Sequence, residues 1–312
     1  MPRVSRTFAL SIAALPESLR ETVGVAYLLC RIVDTIEDDR DLAADVRERL
    51  FDRFEELTSH DRAEDFDLAI ASGSAADREL CAQAGAVYRV FRALPSAHRD
   101  LCRPHILEMA RGMREYRRRG DRLRLRDLAD LERYCYFVAG TVGELLTGLF
   151  EVTVPSMAPE ARAEARARAV SFGLGLQLVN IVKDVRDDLE RGDCFLPLDL
   201  LDANGIAVED LRAPEHRTAS LAVVRAVCAR AREHLDRARE YTLLWPAPDV
   251  RFFCAVPLAL ALATLHEVET GRATKVSRET VARIFQEAQS AVADDEELAA
   301  LLGAARVPTA RA

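Results

Sequence analysis

Aromatic side chains are scarce in this chain, at 6% of 312 residues. No stretch reads convincingly as a strand, no internal repeat is evident, and no Pro/Gly/Ser-rich linker divides the sequence. There is no Gly-x-Gly-x-x-Gly after a strand, which excludes a Rossmann dinucleotide site. The seven cysteines (Cys30, Cys81, Cys102, Cys135, Cys194, Cys228, Cys254) include no Cys-x-x-Cys pair. Their odd number and their positions in apolar helical runs predict reduced core thiols in a cytoplasmic protein with no zinc site. Positive charge is not in excess: the formal net charge is −8, which argues against nucleic acid as a main partner. Met1-Pro-Arg-Val-Ser-Arg6 carries no signal-peptide core. The longest apolar run, Phe252 to Leu265, suits a buried core helix and is too short to cross a bilayer.

What remains is 49% apolar and 30% charged residues, rich in Ala, Leu, Arg and Glu. That composition favours a soluble, helical, globular protein with a sizeable core. The pattern predicts helices over Pro16–Asp38, Ala43–Leu57, Arg78–Leu94, Pro104–Arg118 and Leu128–Phe150, with Pro95 and Pro104 as stops. Pro155–Glu190 reads as one long helix, or as two with a break near Gly173-Leu-Gly175. Leu221–Leu244, Phe252–Glu269 and Arg278–Ala291 complete the set; a loop is expected at Glu64–Ser74 and a turn at Arg191-Gly-Asp193. One domain over residues 1–300 with a tail at 301–312 is expected.

Two acidic segments carry most of the functional information: Arg31-Ile-Val-Asp34-Thr-Ile-Glu-Asp38-Asp39 and Gln177-Leu-Val-Asn180-Ile-Val-Lys-Asp184-Val-Arg-Asp-Asp188. Each sets aspartates four apart, on one helix face, inside an apolar run. Tyr27, Arg31, Asp34 and Asp38 follow single-face strides, as do Gln177, Asn180, Asp184 and Asp188. Carboxylates aimed from an apolar face need neutralising partners. Mg²⁺ is the expected cation when the ligand carries phosphate, so two such helices sharing Mg²⁺ would clamp a diphosphate. Asp34, Asp38, Asp184 and Asp188 are the expected ligands, with Asn180 adding an amide oxygen. Glu37, Asp39 and Asp187 fall off that face and read as solvated acids. The basic run Arg111, Arg114, Arg117, Arg118, Arg119, Arg122, Arg124, Arg126 reads first as a solvated helix end and loop, and second as an anion-docking patch.

Together with Tyr134-Cys-Tyr-Phe-Val-Ala-Gly-Thr-Val-Gly143, the two acidic segments resemble the squalene/phytoene synthase family, from Ser5-Arg6 to about Arg278. The resemblance implies an all-α, single-domain isoprenoid-synthase bundle around a deep central cavity. It also implies head-to-head coupling of two isoprenoid diphosphates through a cyclopropyl intermediate. Phe253-Cys-Ala-Val-Pro257 and Lys275-Val-Ser-Arg278 are similar to the squalene synthase branch, which adds reduction by NADPH. Farnesyl diphosphate is then the expected substrate. Phytoene, dehydrosqualene, hydroxysqualene or presqualene diphosphate as product, transfer to a non-isoprenoid acceptor, and a silent isoprenoid-binding protein stay open.

By the same resemblance Ser5, Arg6, Tyr27, Arg31, Gln177, Asn180 and Lys183 contact diphosphate. The family usually has Arg where Lys183 stands, and Lys keeps the charge without the bidentate fork. Tyr134 matches the catalytic tyrosine, Val138 and Gly143 the cavity wall, and Phe253 an aromatic shielding a carbocation. Pro257, Lys275 and Arg278 are expected at the NADPH site. A C30 hydrocarbon needs an apolar acceptor, at about 0.8 kcal/mol per buried CH₂, so transient contact with the inner face of the cytoplasmic membrane is expected.

Overall fold

The computed structural model describes residues 6–60, 70, 73–120 and 122–304; the side chains of Arg6, Thr7 and Ala304 lie outside it. Among the described residues fourteen α-helices follow in order. They are α1 (Arg6–Ala13), α2 (Glu17–Asp38), α3 (Ala44–Ser59), α4 (Ala75–Ala82), α5 (Ala84–Ala93), α6 (Ser96–Arg117) and α7 (Leu128–Cys135). Then come α8 (Thr141–Thr153), α9 (Pro159–Glu190), α10 (Leu198–Ala203), α11 (Arg217–Leu244), α12 (Pro248–Thr270), α13 (Arg278–Ala291) and α14 (Asp295–Ala304). A single π-helical turn, Tyr136–Gly140, separates α7 from α8. No strand is present among the described residues, only an isolated bridge between Arg124 and Cys194. The expected all-α class holds. The expected loop at Glu64–Ser74 lies largely outside the described residues; the tail expected at 301–312 is corrected at its start, since α14 runs on to Ala304, and residues 305–312 lie outside the described residues.

The chain divides into two compact units, Met1–Asp121 with Glu144–Pro155, and Arg122–Gly143 with Ser156–Ala312. In the first unit α2 is the central element, packed against α3, α4, α5 and α6. Leu19, Val23, Ala26, Leu29, Ile32, Val33 and Ile36 recur at helical strides and are all buried. Each large aliphatic group so buried contributes about 1.5–3 kcal/mol. α6 begins at Ser96, directly after Pro95, and runs through Pro104. The expected start at Pro104 is therefore corrected. Proline removes the bond to the carbonyl four residues back, and that residue, Asp100, is exposed, so water can serve the carbonyl. The expected helix Arg78–Leu94 is two helices that part at Gln83.

In the second unit α9 lies along α11 and against α12. The helix is unbroken through Gly173 and Gly175. Those glycines are contact points. A Cβ on Gly173 would sit 2.1 Å from the Ala139 carbonyl oxygen, and one on Gly143 would sit 2.1 Å from that of Ala169. Gly in a helix interior costs about 1 kcal/mol relative to Ala; here its absent side chain lets two backbones touch. Leu128–Thr153 and Pro248–Thr270 have the length and hydropathy of a membrane span, but 78% of the latter's apolar window is buried in protein, as a core helix requires. All seven cysteines are free thiols.

Candidate active site

The first acidic segment closes α2. Asp34 is half-buried and Asp38 half-exposed, one turn apart on one face. Arg31 reaches both ways: Nη1 donates to Asp34 Oδ2 at 2.7 Å, and Nε to Asp77 Oδ1 at 3.0 Å. Asp77, a residue the sequence did not single out, is itself fixed. It forms a reciprocal capping box with Ser74 at the start of α4, taking the Ser74 hydroxyl at 2.7 Å. Burial opposes ionisation of Asp77, yet the bonds from Arg31 and Ser74 hold its carboxyl below the usual range. Asp34 is shifted the other way. Burial and the neighbouring Asp38 carboxylate raise it, against the pull of Arg31. A site that pushes its own carboxylate toward protonation gains when a cation arrives. Tyr27, two turns before Asp34, stacks on Phe8 with ring centroids 5.7 Å apart. Ser5 and the Arg6 side chain lie outside the described residues.

Glu37 and Asp39 do not behave as solvated acids; both are 1% exposed. Glu37 Oε1 pairs with Arg117 Nε at 3.2 Å, and Arg117 Nη2 lies 3.7 Å from Asp38. Asp39 ends α2, its side chain taking the Asp41 N–H at 2.9 Å and its carbonyl taking Arg47 Nη2 at 2.7 Å. The stride argument failed because the back of this turn meets another element. Removing one partner of a buried ion pair costs about 3–5 kcal/mol, so Glu37 and Arg117 hold the turn that presents Asp38.

The basic run that ends α6 is largely consumed internally. Arg111 pairs with Glu55, and Arg114 with Glu48, Asp52 and Glu55. Arg118 pairs with Glu48, and Arg119 lies over the Tyr116 ring at 3.7 Å. Arg124 donates to the carbonyls of Leu123 and Gly192, and Arg126 pairs with Asp130. The run is solvated as expected at Arg111, Arg118 and Arg126, whose side chains stay exposed, while Arg114 and Arg117 are largely covered and held by acids.

The second acidic segment lies on the last turns of α9. Lys183 Nζ sits 3.0 Å from Asn180 Oδ1 and 3.1 Å from Asp184 Oδ2, while Gln177 Oε1 is 3.5 Å from the Asn180 amide nitrogen. Asp184 is half-buried. Asp188 is buried and pairs with Arg191 just beyond the helix. Asp187 is exposed, as expected, and lies 3.8 Å from Lys275 Nζ. The chain then turns through Gly192 at φ +87°, and Asp193 takes the Leu123 N–H at 2.7 Å.

Tyr134 occupies the last turn of α7, buried, with its ring 5.1 Å from that of Phe195. The π-turn begins two residues later; such turns concentrate at functional sites. Val138 within it is half-buried, and Gly143 meets the α9 backbone. Phe253 is buried on α12, and Pro257, one turn on, is half-buried. Lys275 and Arg278 are exposed, Arg278 opening α13 behind the Ser277 cap. The arrangement therefore brings together Arg31 with Asp34, Asn180 with Lys183 and Asp184, and Lys275 with Asp187.

Residues 1–288 match the squalene/phytoene synthase family. The chain belongs to that family. Its relatives include the squalene synthase of Schizosaccharomyces pombe, 29% identical over 267 residues (85% of this chain, 57% of the relative). The Candida albicans squalene synthase is 28% identical over 298 residues (92% of this chain, 65% of the relative). The chain thus spans under two thirds of the length of these relatives. The solved structure of TcSQS with a bound ligand superposes with a TM-score of 0.84 at 28% identity, covering 100% of this chain and 91% of that one. A dehydrosqualene synthase structure, at 23% identity and a TM-score of 0.66, shares the fold.

The donor set suits the family's metal. Asp34 and Asp38 on α2, and separately Asn180, Asp184 and Asp188 on α9, offer oxygen, which Mg²⁺ prefers. The raised Asp34 carboxyl marks charge that a cation would relieve. For a nicotinamide cofactor the fit is narrower: Lys275 and Arg278 are exposed cations suited to phosphate.

Proposed function

We propose that this chain couples two farnesyl diphosphates head to head into presqualene diphosphate and then reduces that intermediate to squalene with NADPH. The observation that carries the reading is the pairing, on each acidic helix, of a half-buried carboxylate with a cation of its own helix: Arg31 with Asp34, and Lys183 with Asp184. Squalene synthases among the relatives support the choice of product.

In this reading Asp34, Asp38, Asn180, Asp184 and Asp188 hold Mg²⁺. The metal supplies charge that stabilises the departing diphosphate. Arg31 and Lys183, released from their carboxylates when the cation binds, turn to phosphate oxygens. Ser5, Arg6, Tyr27 and Gln177 complete the diphosphate contacts. The C1–O bond of one farnesyl diphosphate breaks, C1 bonds to the double bond of the second, and loss of one proton closes the cyclopropane. Tyr134, held on Phe195, places its phenol to manage that proton. The Phe253 ring faces the later cation, an attraction of about 2 kcal/mol when desolvated, and Val138 and Gly143 wall the cavity. Lys275 and Arg278 hold the phosphates of NADPH, whose hydride ends the sequence, and Pro257 on α12 is assigned to the same cofactor. Product leaves by transient contact with a membrane surface.

The test is incubation with farnesyl diphosphate and Mg²⁺, with and without NADPH, and identification of products by mass spectrometry. Presqualene diphosphate and its rearranged alcohols should accumulate without NADPH, and squalene should replace them when it is added. Identical products under both conditions would sink the reductive step.

A further inference from the structure

We propose that a cavity beside the end of α9 binds one soluble lipid phosphate, a linear aliphatic chain carrying a phosphate head. The cavity measures about 560 Å³, within the range of small-molecule sites. It lies wholly in the second compact unit. α9 lines it with Val182, Val185 and Leu189, at strides of three and four along one face. Val224 of α11, Val268 of α12 and Leu211 add to the aliphatic lining. This face of α9 is not the one that carries the aspartates. Val182 stands two residues from both Asn180 and Asp184, roughly 160° around the helix from each.

Arg186, Arg212 and Arg272 meet this aliphatic lining, and no carboxylate lines the cavity among the described residues. Arg186 Nε and Arg212 Nη2 share one acid outside the lining, Glu190 Oε1, at 3.3 and 3.2 Å. Two guanidiniums on one carboxylate leave net positive charge, and each keeps N–H donors that Glu190 does not use. Arg272 adds a third charge, and the backbone sets its place. α12 ends on Gly271 at φ +66°. The Gly271 N–H returns to the Val268 carbonyl at 3.0 Å, and the Arg272 N–H to that of Glu267 at 3.1 Å. That paired cap fixes where Arg272 leaves the helix. Guanidinium forks suit phosphate oxygens. Lys183 also reaches the cavity, but Asn180 and Asp184 already hold its ammonium. The lining favours an alkyl chain over a nucleotide. Among the described residues it contains no aromatic ring for a base to stack on, and Thr274 brings its one hydroxyl. An inorganic anion alone would leave the aliphatic lining wet, so the occupant that fits has both a chain and a charged head.

The test is calorimetric titration of monomeric dodecyl phosphate into the full chain in EDTA, where the metal-free aspartates repel phosphate. One equivalent should bind. Inorganic phosphate and dodecanol each lack half of the recognition and should bind at least about a hundredfold more weakly. Arg272→Ala should weaken dodecyl phosphate about tenfold, the scale of one charge-assisted hydrogen bond. Val224→Trp, which fills the groove, should remove the equivalent. Arg272 is exposed, so its substitution spares the fold and carries the test if Val224→Trp does not fold. Binding is read without turnover, so the outcome does not depend on the proposed reaction. Absence of an equivalent in EDTA would overturn the site. So would binding that Arg272→Ala leaves unchanged, dodecanol binding as tightly as its phosphate, or displacement of the probe by NADPH. Binding to phosphatidic acid vesicles without binding of the monomer would overturn it too, in favour of a membrane-docking surface.

Discussion

The two acidic half-sites are built to different tolerances. On α2 the presenting turn is braced from behind by the buried Glu37–Arg117 pair, and its cation, Arg31, is gripped between Asp34 and the capped Asp77. On α9 the corresponding cation is Lys183, a single flexible ammonium shared between Asn180 and Asp184, and the outer Asp187 touches only the exposed Lys275. The first segment is pre-organised, which would save ordering entropy in the proposed binding of diphosphate. The part of the second around Lys183 can adjust, because Gln177, Asn180, Lys183 and Asp184 are linked within one helix.

The comparison breaks first at the aspartates. Asp34→Asn and Asp184→Asn should each lower squalene or presqualene diphosphate formation by about a thousandfold or more, roughly 4 kcal/mol of barrier, with an unchanged circular dichroism spectrum. Either variant retaining more than a tenth of wild-type rate would refute the shared metal role. The next effect separates the half-sites. Arg117→Ala should destabilise the chain by about 3–5 kcal/mol in denaturant titration, since it removes the buried partner of Glu37. Lys275→Ala, which frees only the exposed Asp187, should change stability by less than about 1 kcal/mol. Tyr134→Phe belongs to neither half-site. It should lower kcat by one to two orders of magnitude, within the range of general acid–base help, with little change in KM. An unaltered kcat would leave the tyrosine a packing residue.

A smaller effect concerns pH. The Asp34 carboxyl is raised from 3.8 to about 7, chiefly by burial and then by Asp38. A raised carboxyl binds its proton more tightly in the folded state. Its stabilising contribution is complete below the ordinary value and is lost as pH rises through about 7. Without metal, Asp34→Asn should therefore raise Tm relative to wild type above neutrality, and the gain should shrink toward pH 5 and vanish when Mg²⁺ is added. A gain independent of pH would show that the carboxylate charge is not the cause. The smallest expected change is Lys183→Arg. If α9 is the adjustable half, restoring a guanidinium should alter the KM for farnesyl diphosphate only a few-fold, whereas Arg31→Lys, which loses the two-sided grip, should raise it about tenfold or more.

The face of α2 was legible because period and chemistry agree there: Tyr27, Arg31, Asp34 and Asp38 share one stripe, while Leu29, Ile32 and Ile36 fill the core. Glu37 was misread because its partner Arg117 lies 80 positions away in sequence, and no local pattern announces a buried pair. Asp77 was missed for a related reason. Its capping role with Ser74 is a local signal, but its contact with Arg31 is tertiary. Gly173 and Gly175 suggested a break because propensity counts only what a glycine costs its own helix. The Ala139 carbonyl against Gly173 supplies the other half of the account. Pro104 misled in the same direction, since a proline signals a lost hydrogen bond without saying whether water can replace it.

The π-turn at Tyr136–Gly140 has a consequence for phase. Such a turn amounts to one residue added to an α-helix, and each α-helical residue advances the azimuth by about 100°. Tyr134 before it and Gly143 after it therefore point from faces that an uninterrupted helix would not bring into this relation. Deleting Phe137 or Ala139 would preserve every side chain named in the site and leave a straighter helix. It would also swing the tyrosine by roughly a quarter-turn against the glycine that seats on α9, so the spacing of these two residues along the chain sets how the candidate site is assembled.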